Sequence, residues 1–302
     1  MKAPSLQIGD TIGVMAPSSY VEKEKIIKAK KLLEKSGYSV FLHPQYEAKF
    51  NQSAGTTEEK LKAFHELIAD PSIKAIIAAG GGNRALHMLD GIDYDLVANN
   101  PKIIMGFSDV TALLNAVHAK TGITTIHGPV FTWLPAMKGM FDFNMGLLAG
   151  ETQEYPMQDC RILREGTATG HLVGGNLSVF HLMPNTEYAP NTKGGILFIE
   201  DLREEVNKID RMLLQLRRTG VLSEINGIIC GSFKELGDNG RPYGFTLDDL
   251  LLEHTAGYDI PIVMDAPFGH GDQLYAMPIG GNAELYAGNA KVTLKLTESC
   301  VS

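Results

Sequence analysis

From its amino end the chain alternates short apolar runs with longer stretches in which apolar residues recur every three or four positions. The runs predict buried strands and the recurring spacing predicts amphipathic helices. Residues 10–19, DTIGVMAPSS, form a run closed by Pro17, Ser18 and Ser19, and predict a strand that ends in a polar loop. Ile26, Ile27, Ala29, Leu32 and Leu33, spaced among lysines, predict a helix over 21–35 that Gly37 stops. A second strand is predicted at 39–42, a second helix at 58–69 before Asp70-Pro71, and a third strand at 73–79. Strands alternating with helices are the pattern of a parallel sheet.

The third strand runs into Gly80-Gly81-Gly82-Asn83, with a helix predicted from Arg84 to Leu89. Glycines at a strand end let the backbone approach a ligand and turn amides toward an anion. A phosphate cradle, an oxyanion hole and a plain turn all fit, although neither G-x-G-x-x-G nor G-x-x-x-x-G-K is present. Residues 102–114, KIIMGFSDVTALL, form an apolar run that ends in Gly-Phe-Ser-Asp and then becomes helical. Ser108 therefore belongs to a strand-to-helix turn, and the amide of Asp109 to a fresh helix start. Such a turn displays a nucleophile, and a serine there equally serves as a helix N-cap. The glycine loop ends the preceding strand, so the two strand ends can be neighbours at the edge where open parallel sheets gather ligands. GITTIHGPV, residues 122–130, predicts a further short strand, with His127 read as structural beside its turn.

Over 131–166 the alternation dissolves, which marks a region between domains and divides the chain into 1–150 and 151–302. In the second half, HLVGGNLSVF (171–180) predicts a Gly-Gly-Asn turn entering a short apolar segment. A buried strand at 196–199 ends at Glu200-Asp201, where a carboxylate is either a cap or a displayed catalytic acid. A helix over 206–218 carries Ile209, Met212, Leu213 and Leu216 on one face. A strand at 225–233 puts Cys230 in the core, and a helix at 246–254 and a strand at 260–264 follow. His270 then stands between Gly269 and Gly271, with little packing of its own, and the alternation around Gly288-Asn289 predicts a β-hairpin.

Composition narrows the chemistry. The chain's 302 residues are more than one average domain needs. A net charge of −8 argues against a nucleic-acid polymer as partner and favours a small molecule. Cys160, Cys230 and Cys300 are scattered, odd in number and without a C-x-x-C, so neither a disulfide framework nor a zinc ribbon is expected. A reducing, cytoplasmic compartment fits. No uninterrupted apolar run reaches the roughly 18 residues of a membrane span. A metal hydrolase built on His127, His171 or His181 lacks H-E-x-x-H or a comparable spacing, and no metal or cofactor is expected.

Ser108, Glu200 and His270 supply the three roles of a serine hydrolase: nucleophile, carboxylate that fixes the imidazole, and general base. With nine histidines and 35 acidic residues, spacing alone leaves many other combinations open. The sequence resembles the LD-carboxypeptidase family of serine peptidases, which also contains the microcin C immunity proteins. The resemblance rests on GDTIGVMAPS, GFSDVTALL, HGPV, GGNLS, LFIED, IDRMLLQLRRTGVL and PFGHG, in that order along nearly the whole chain.

That resemblance implies an α/β protein with a Rossmann-like parallel-sheet amino-terminal domain and a smaller β-rich carboxyl-terminal domain, assembled as a homodimer. It implies Ser108 as nucleophile, Glu200 as orienting carboxylate and His270 as base, across an interdomain cleft. The amide of Asp109 and one from Gly81 or Gly82 would form the oxyanion hole. The implied reaction is acyl transfer without metal at a C-terminal amide, such as L-diamino acid–D-alanine in a muropeptide, with Arg203, Arg211 or Arg84 as candidates to hold the substrate carboxylate. Many members carry R-G-G-Y-G after the third strand, whereas Gly80-Gly81-Gly82-Asn83-Arg84 is closer to the G-G-x-N of the immunity branch. That branch would take a peptidyl- or aminoacyl-nucleotide. A reading of another class is a non-catalytic small-molecule binding protein in which Ser108 caps a helix.

Overall fold

The computed structural model describes residues 1–302 apart from 138, 152, 153 and 239. The chain divides into two compact units. Met1–Glu151, Tyr275–Gly280 and Ser299–Ser302 make the first, and Thr152–Leu274 with Gly281–Glu298 the second.

In the first unit, strands β1 (Thr11–Met15), β2 (Ser39–Leu42), β3 (Ile73–Ala78), β4 (Ile103–Gly106) and β5 (Thr125–His127) alternate with helices α1 (Lys23–Lys35), α2 (Thr57–Ala69), α3 (Tyr94–Asn99), α4 (Thr111–Thr121) and α5 (Phe141–Ala149). Local signals set these bounds. Thr56 and Glu59 form a reciprocal capping box at the start of α2, and Gly122, at φ +72°, closes α4. Except for Lys74, β3 is buried throughout, which suits a strand covered on both faces. β1 pairs in parallel with β2 and β3, β3 with β4, and β4 with β5. Because Ile77 is in register with Met105, the loop after β3 and the turn after β4 emerge side by side.

The second unit carries β6 (Arg161–Arg164), β7 (Gly166–Asn176), β8 (Ile196–Leu202), β9 (Gly227–Lys234) and β10 (Ile262–Met264), with helices α6 (Leu177–Phe180), α7 (Val206–Arg218), α8 (Val221–Glu224) and α9 (Leu247–His254). The chain then returns to the first unit for β11 (Met277–Ile279), which pairs antiparallel with β5. It finishes with the hairpin β12 (Asn282–Gly288) and β13 (Lys291–Leu296), whose turn has positive φ at Asn289 and Ala290. Among the described residues the strands form two sheets, ordered β11-β5-β4-β3-β1-β2 and β13-β12-β7-β8-β9-β10-β6. Strands β7 to β10 run parallel, β6 and β12 border them antiparallel, and β13 pairs antiparallel with β12 at the outer edge. Leu197 and Ile199 of β8, Cys230 of β9, and Ile209, Leu213 and Leu216 of α7 share one core. The α/β class, with a parallel-sheet first half and a β-rich second half, is the one expected.

Two segments away from the glycine loop differ from expectation. The stretch 131–166, read as irregular, contains α5 and β6, while 138, 152 and 153 lie outside the described residues. FDFNMGLLA is apolar on most of its faces and buried from Asn144 to Leu148, so no helical period marks it. The Gly-Gly-Asn at 174–176 is the end of β7 rather than a turn. A Cβ at Gly174 would stand 1.9 Å from Phe198 O, so glycine is there to let two strands pair. Among the described residues no helix is long and apolar enough to cross a membrane.

Candidate active site

In the first unit, β4 ends at Gly106 and Ser108 turns the chain with φ +62°, a left-handed conformation uncommon for any residue but glycine. A short 3₁₀ turn, Ser108–Val110, leads directly into α4, and Ser108 makes no side-chain capping bond to it. The hydroxyl is thus presented at the carboxyl end of a buried parallel strand without being spent on its own helix.

The glycine loop lies against this turn. A Cβ at Gly81 would be 3.1 Å from Ser108 Cβ and 3.3 Å from its Oγ, so a side chain there would crowd the serine. Ser19 holds the loop from the other side, donating its N–H to Gly81 O at 3.3 Å while its Oγ accepts from Asn83 N at 3.2 Å. Arg84, at φ +82°, then starts a 3₁₀ turn over Ala85–Gly91 where an α-helix was expected.

Asp109 joins the two features. Only 7% exposed, its Oδ2 accepts the Ala85 N–H at 2.8 Å, which ties the segment after the glycine loop to the residue after Ser108. Burial raises the Asp109 carboxyl above its ordinary value, against the opposing pull of Ser18, the Ala85 amide and Lys60. Lys60, itself buried on α2, has its ammonium lowered by the same desolvation.

The second unit carries the other candidates. Glu200, on β8, is 0% exposed, and its Oε2 lies 2.7 Å from His270 Nδ1 and accepts the His270 backbone N–H at 3.2 Å. The two residues are 70 positions apart, brought together by a loop after β10 that folds back over β8 and β9. Gly269 makes this possible: its φ is +95°, and a Cβ there would come within 2.7 Å of Glu200 Cβ and Oε2.

Behind Glu200 is a set of polar residues that the sequence reading did not single out. Asn176 Nδ2 donates to Glu200 Oε1 at 3.3 Å and to Asp201 Oδ1 at 3.1 Å. Asp201 also accepts from Ser178 N, Ser178 Oγ and Leu202 N at 2.9, 2.6 and 2.9 Å. Burial raises the Asp201 carboxyl, and these donors hold it back. The signal was present in GGNLS and LFIED, but only the parallel register of β7 and β8, Asn176 opposite Glu200, joins the two motifs.

The three arginines named as candidates for the substrate carboxylate sit in different surroundings. Arg203 is engaged by Glu235 at 2.7 Å on an exposed surface, where the ion pair occupies its guanidinium. Arg211 lines a surface cleft with His181 and Lys208, and Arg84 follows the glycine loop. His127 is buried at the end of β5, edge-on to Phe107. A cavity of about 580 Å³ beside the edge strand β2, lined by Phe41, His43 and Glu66, contains none of the candidate residues.

Comparison with known proteins adds an independent line. Residues 12–128 match the LD-carboxypeptidase N-terminal domain, and residues 169–285 the LD-carboxypeptidase C-terminal domain. A probable murein peptide carboxypeptidase of Bacillus subtilis is 34% identical, covering 94% of this chain and 91% of its own. The microcin C7 self-immunity protein MccF of Escherichia coli is 26% identical, covering 97% of this chain and 95% of its own. A solved structure of MccF in complex with aspartyl sulfamoyl adenosine superposes with a TM-score of 0.89 at 25% identity, covering 100% of both chains. The muramoyltetrapeptide carboxypeptidase of Oxalobacter formigenes superposes with a TM-score of 0.81 at 27% identity, covering 95% of this chain and 98% of its own.

Proposed function

The chain belongs to the LD-carboxypeptidase family, and we propose that it is a serine-type carboxypeptidase using Ser108 as nucleophile, His270 as general base and Glu200 as orienting carboxylate. The observation that carries this reading is the 2.7 Å contact between His270 Nδ1 and the fully buried Glu200. An ionised carboxylate only accepts, so the Nδ1 proton points at Glu200 and Nε2 is the nitrogen that takes protons.

His270 Nε2 removes the Ser108 proton as Oγ attacks the amide carbon, and then delivers that proton to the leaving amine. Water, deprotonated by the same nitrogen, releases the acyl group and restores the serine. The negative charge that develops on the carbonyl oxygen is met by the amide of Asp109 and that of Gly81 or Gly82. Each such donor contributes about 10²–10³ in rate. The closeness of the Gly81 position to the Ser108 side chain, where a Cβ would stand 3.3 Å from Oγ, supports that assignment.

For substrate, the reading is a small peptide cut at a C-terminal amide such as L-diamino acid–D-alanine, by likeness to the murein peptide relative. A peptidyl- or aminoacyl-nucleotide is the second reading, favoured by the Gly81-Gly82-Asn83 loop and by likeness to MccF. The resemblance carries with it a cytoplasmic homodimer, which light scattering and cell fractionation check. Mass spectrometry of products from an L,D-tetrapeptide muropeptide and an aspartyl-nucleotide, offered in parallel with Ser108→Ala as control, decides among these. Loss of D-alanine by the wild type alone supports the carboxypeptidase, and nucleotide release supports the second reading. Binding without cleavage of either, unchanged in the variant, would leave a non-catalytic binding protein.

A further inference from the structure

Helix α2 carries a lysine where a core residue belongs. Lys60, Ala63, Phe64, Leu67 and Ile68 form its buried stripe, and Lys60 is 1% exposed. A lysine is almost never buried so completely unless its charge is matched. Lys102, also buried, is matched: its Nζ donates to Asp70 O and Ile73 O, both at 2.6 Å. Lys60, by contrast, makes no hydrogen bond and no ion pair among the described residues.

The charges that act on Lys60 lie at the Ser108 turn and the glycine loop. Asp109 is the carboxylate that favours its ammonium, and Arg84, just past the glycines, is the like charge that opposes it. Asp109 is buried too, and its Oδ2 holds the Ala85 amide at 2.8 Å. Helix α2 is fastened to the segment that begins there. Leu61 fills the space a Cβ at Gly91 would need, and the Asp93 N–H donates to His65 Nε2 at 3.0 Å. Lys60, Asp109 and Ala85 therefore belong to one buried assembly of the first unit, adjoining both the Ser108 turn and the glycine loop.

We infer that Lys60 is a positioning residue: its ammonium is the counter-charge of the Asp109 carboxylate, and through Asp109 it holds Ala85 and the glycine loop against the Ser108 turn. The inference rests on the proposed hydrolase reading and deepens it. In that reading the Asp109 N–H and an amide of Gly81 or Gly82 meet the oxyanion together. The Asp109 side chain fixes their spacing, because it joins its own backbone to the residue that follows the loop. Donors to an oxyanion act within a few tenths of an ångström, so a loosened tie costs rate before it costs binding. Without Lys60, Asp109 is a buried carboxylate with no counter-charge, which is the costly way to break such a pair.

Steady-state kinetics on the full chain, with an L,D-tetrapeptide muropeptide and an aspartyl-nucleotide as substrates, tests this. Lys60→Met keeps the length of the side chain and removes its charge, and kcat is expected to fall about 10–10²-fold with KM nearly unchanged. Lys60→Arg keeps the charge and should stay much nearer the wild type. In an Asp109→Asn background, where no carboxylate needs a counter-charge, Lys60→Met should cost nothing further. A wild-type kcat in Lys60→Met, equal losses in the arginine and methionine variants, or losses that multiply in the double variant each overturn the inference. Urea unfolding of the same proteins reads the pair without turnover: the double variant should lose less than the two single variants together. Coupling in urea with neither substrate cut keeps the pair and removes the hydrolase. Cleavage with independent losses keeps the hydrolase and removes the pair.

Discussion

The turn at Ser108 and the pair Glu200–His270 are built in opposite ways. The turn is local: a buried strand, one left-handed residue and a helix start within a few positions, braced by the loop of the adjacent strand. The pair is non-local: two residues 70 positions apart, one fully buried, joined only because a glycine lets a loop lie on a strand. A local device risks little stability when its side chain is removed. A buried, long-range pair contributes to folding as well as to chemistry, because deleting one partner leaves the other desolvated and unmatched.

The sharpest test is therefore to remove one member from each side. Ser108→Ala is expected to lower kcat by about 10⁴–10⁶ with thermal midpoint and circular dichroism unchanged. Glu200→Gln follows, with a loss of roughly 10⁴ in kcat and, unlike the serine variant, about 1–3 kcal/mol of stability in chemical denaturation, since its buried hydrogen bonds are altered. Equal stability of the two variants would break the contrast.

Glycine replacements probe the same contrast more gently. Gly269→Ala forces a left-handed φ on alanine and drives its Cβ into Glu200, so kcat is expected to fall about 10²-fold as the imidazole shifts. Gly81→Ala has ordinary φ, and its Cβ would only crowd Ser108, so a loss nearer tenfold is expected. Steady-state kinetics on both variants gives the order, and the reverse order would show that the glycine loop is the stiffer of the two.

The smallest effects are those of pH. Asp109 and Asp201 each back one side, and burial raises both carboxyls above the ordinary value of 3.8. A raised folded-state value means that the folded chain holds its proton more firmly than the unfolded chain. The stabilisation is complete below the unfolded value and is lost as pH rises through the folded one. The destabilisation caused by Asp109→Asn or Asp201→Asn should then be larger near pH 4 than near pH 7, as read from urea midpoints at the two values. A penalty that grows with pH would show both carboxyls lowered instead.

Much of this was readable along the chain, for reasons that differ by element. Strands β3, β4, β8 and β9 are nearly continuous apolar runs, as strands covered on both faces must be, and α7 shows its apolar stripe plainly. Helix α5 was hidden because burial on many sides erases amphipathic period, and the end of β7 because glycines that permit close strand pairing look like turn glycines. Ser108 could be picked out from its own neighbours. Asn176 and Asp201 could not, since their place behind Glu200 exists only once β7 and β8 are in register.

What the sequence determined by itself is whatever a few consecutive residues can encode: the alternation of strand and helix, the strand-to-helix turn at Ser108, the glycines that free the backbone at 81, 82 and 269, and the family to which the motifs belong. Tertiary structure alone decided the rest. It set His270 on Glu200, tied Asp109 to Ala85, and engaged Arg203 with Glu235. The reason is physical: propensity and hydrophobic period act over a turn or two of chain, whereas hydrogen bonds and charge pairs are decided by distance in space, which only packing supplies.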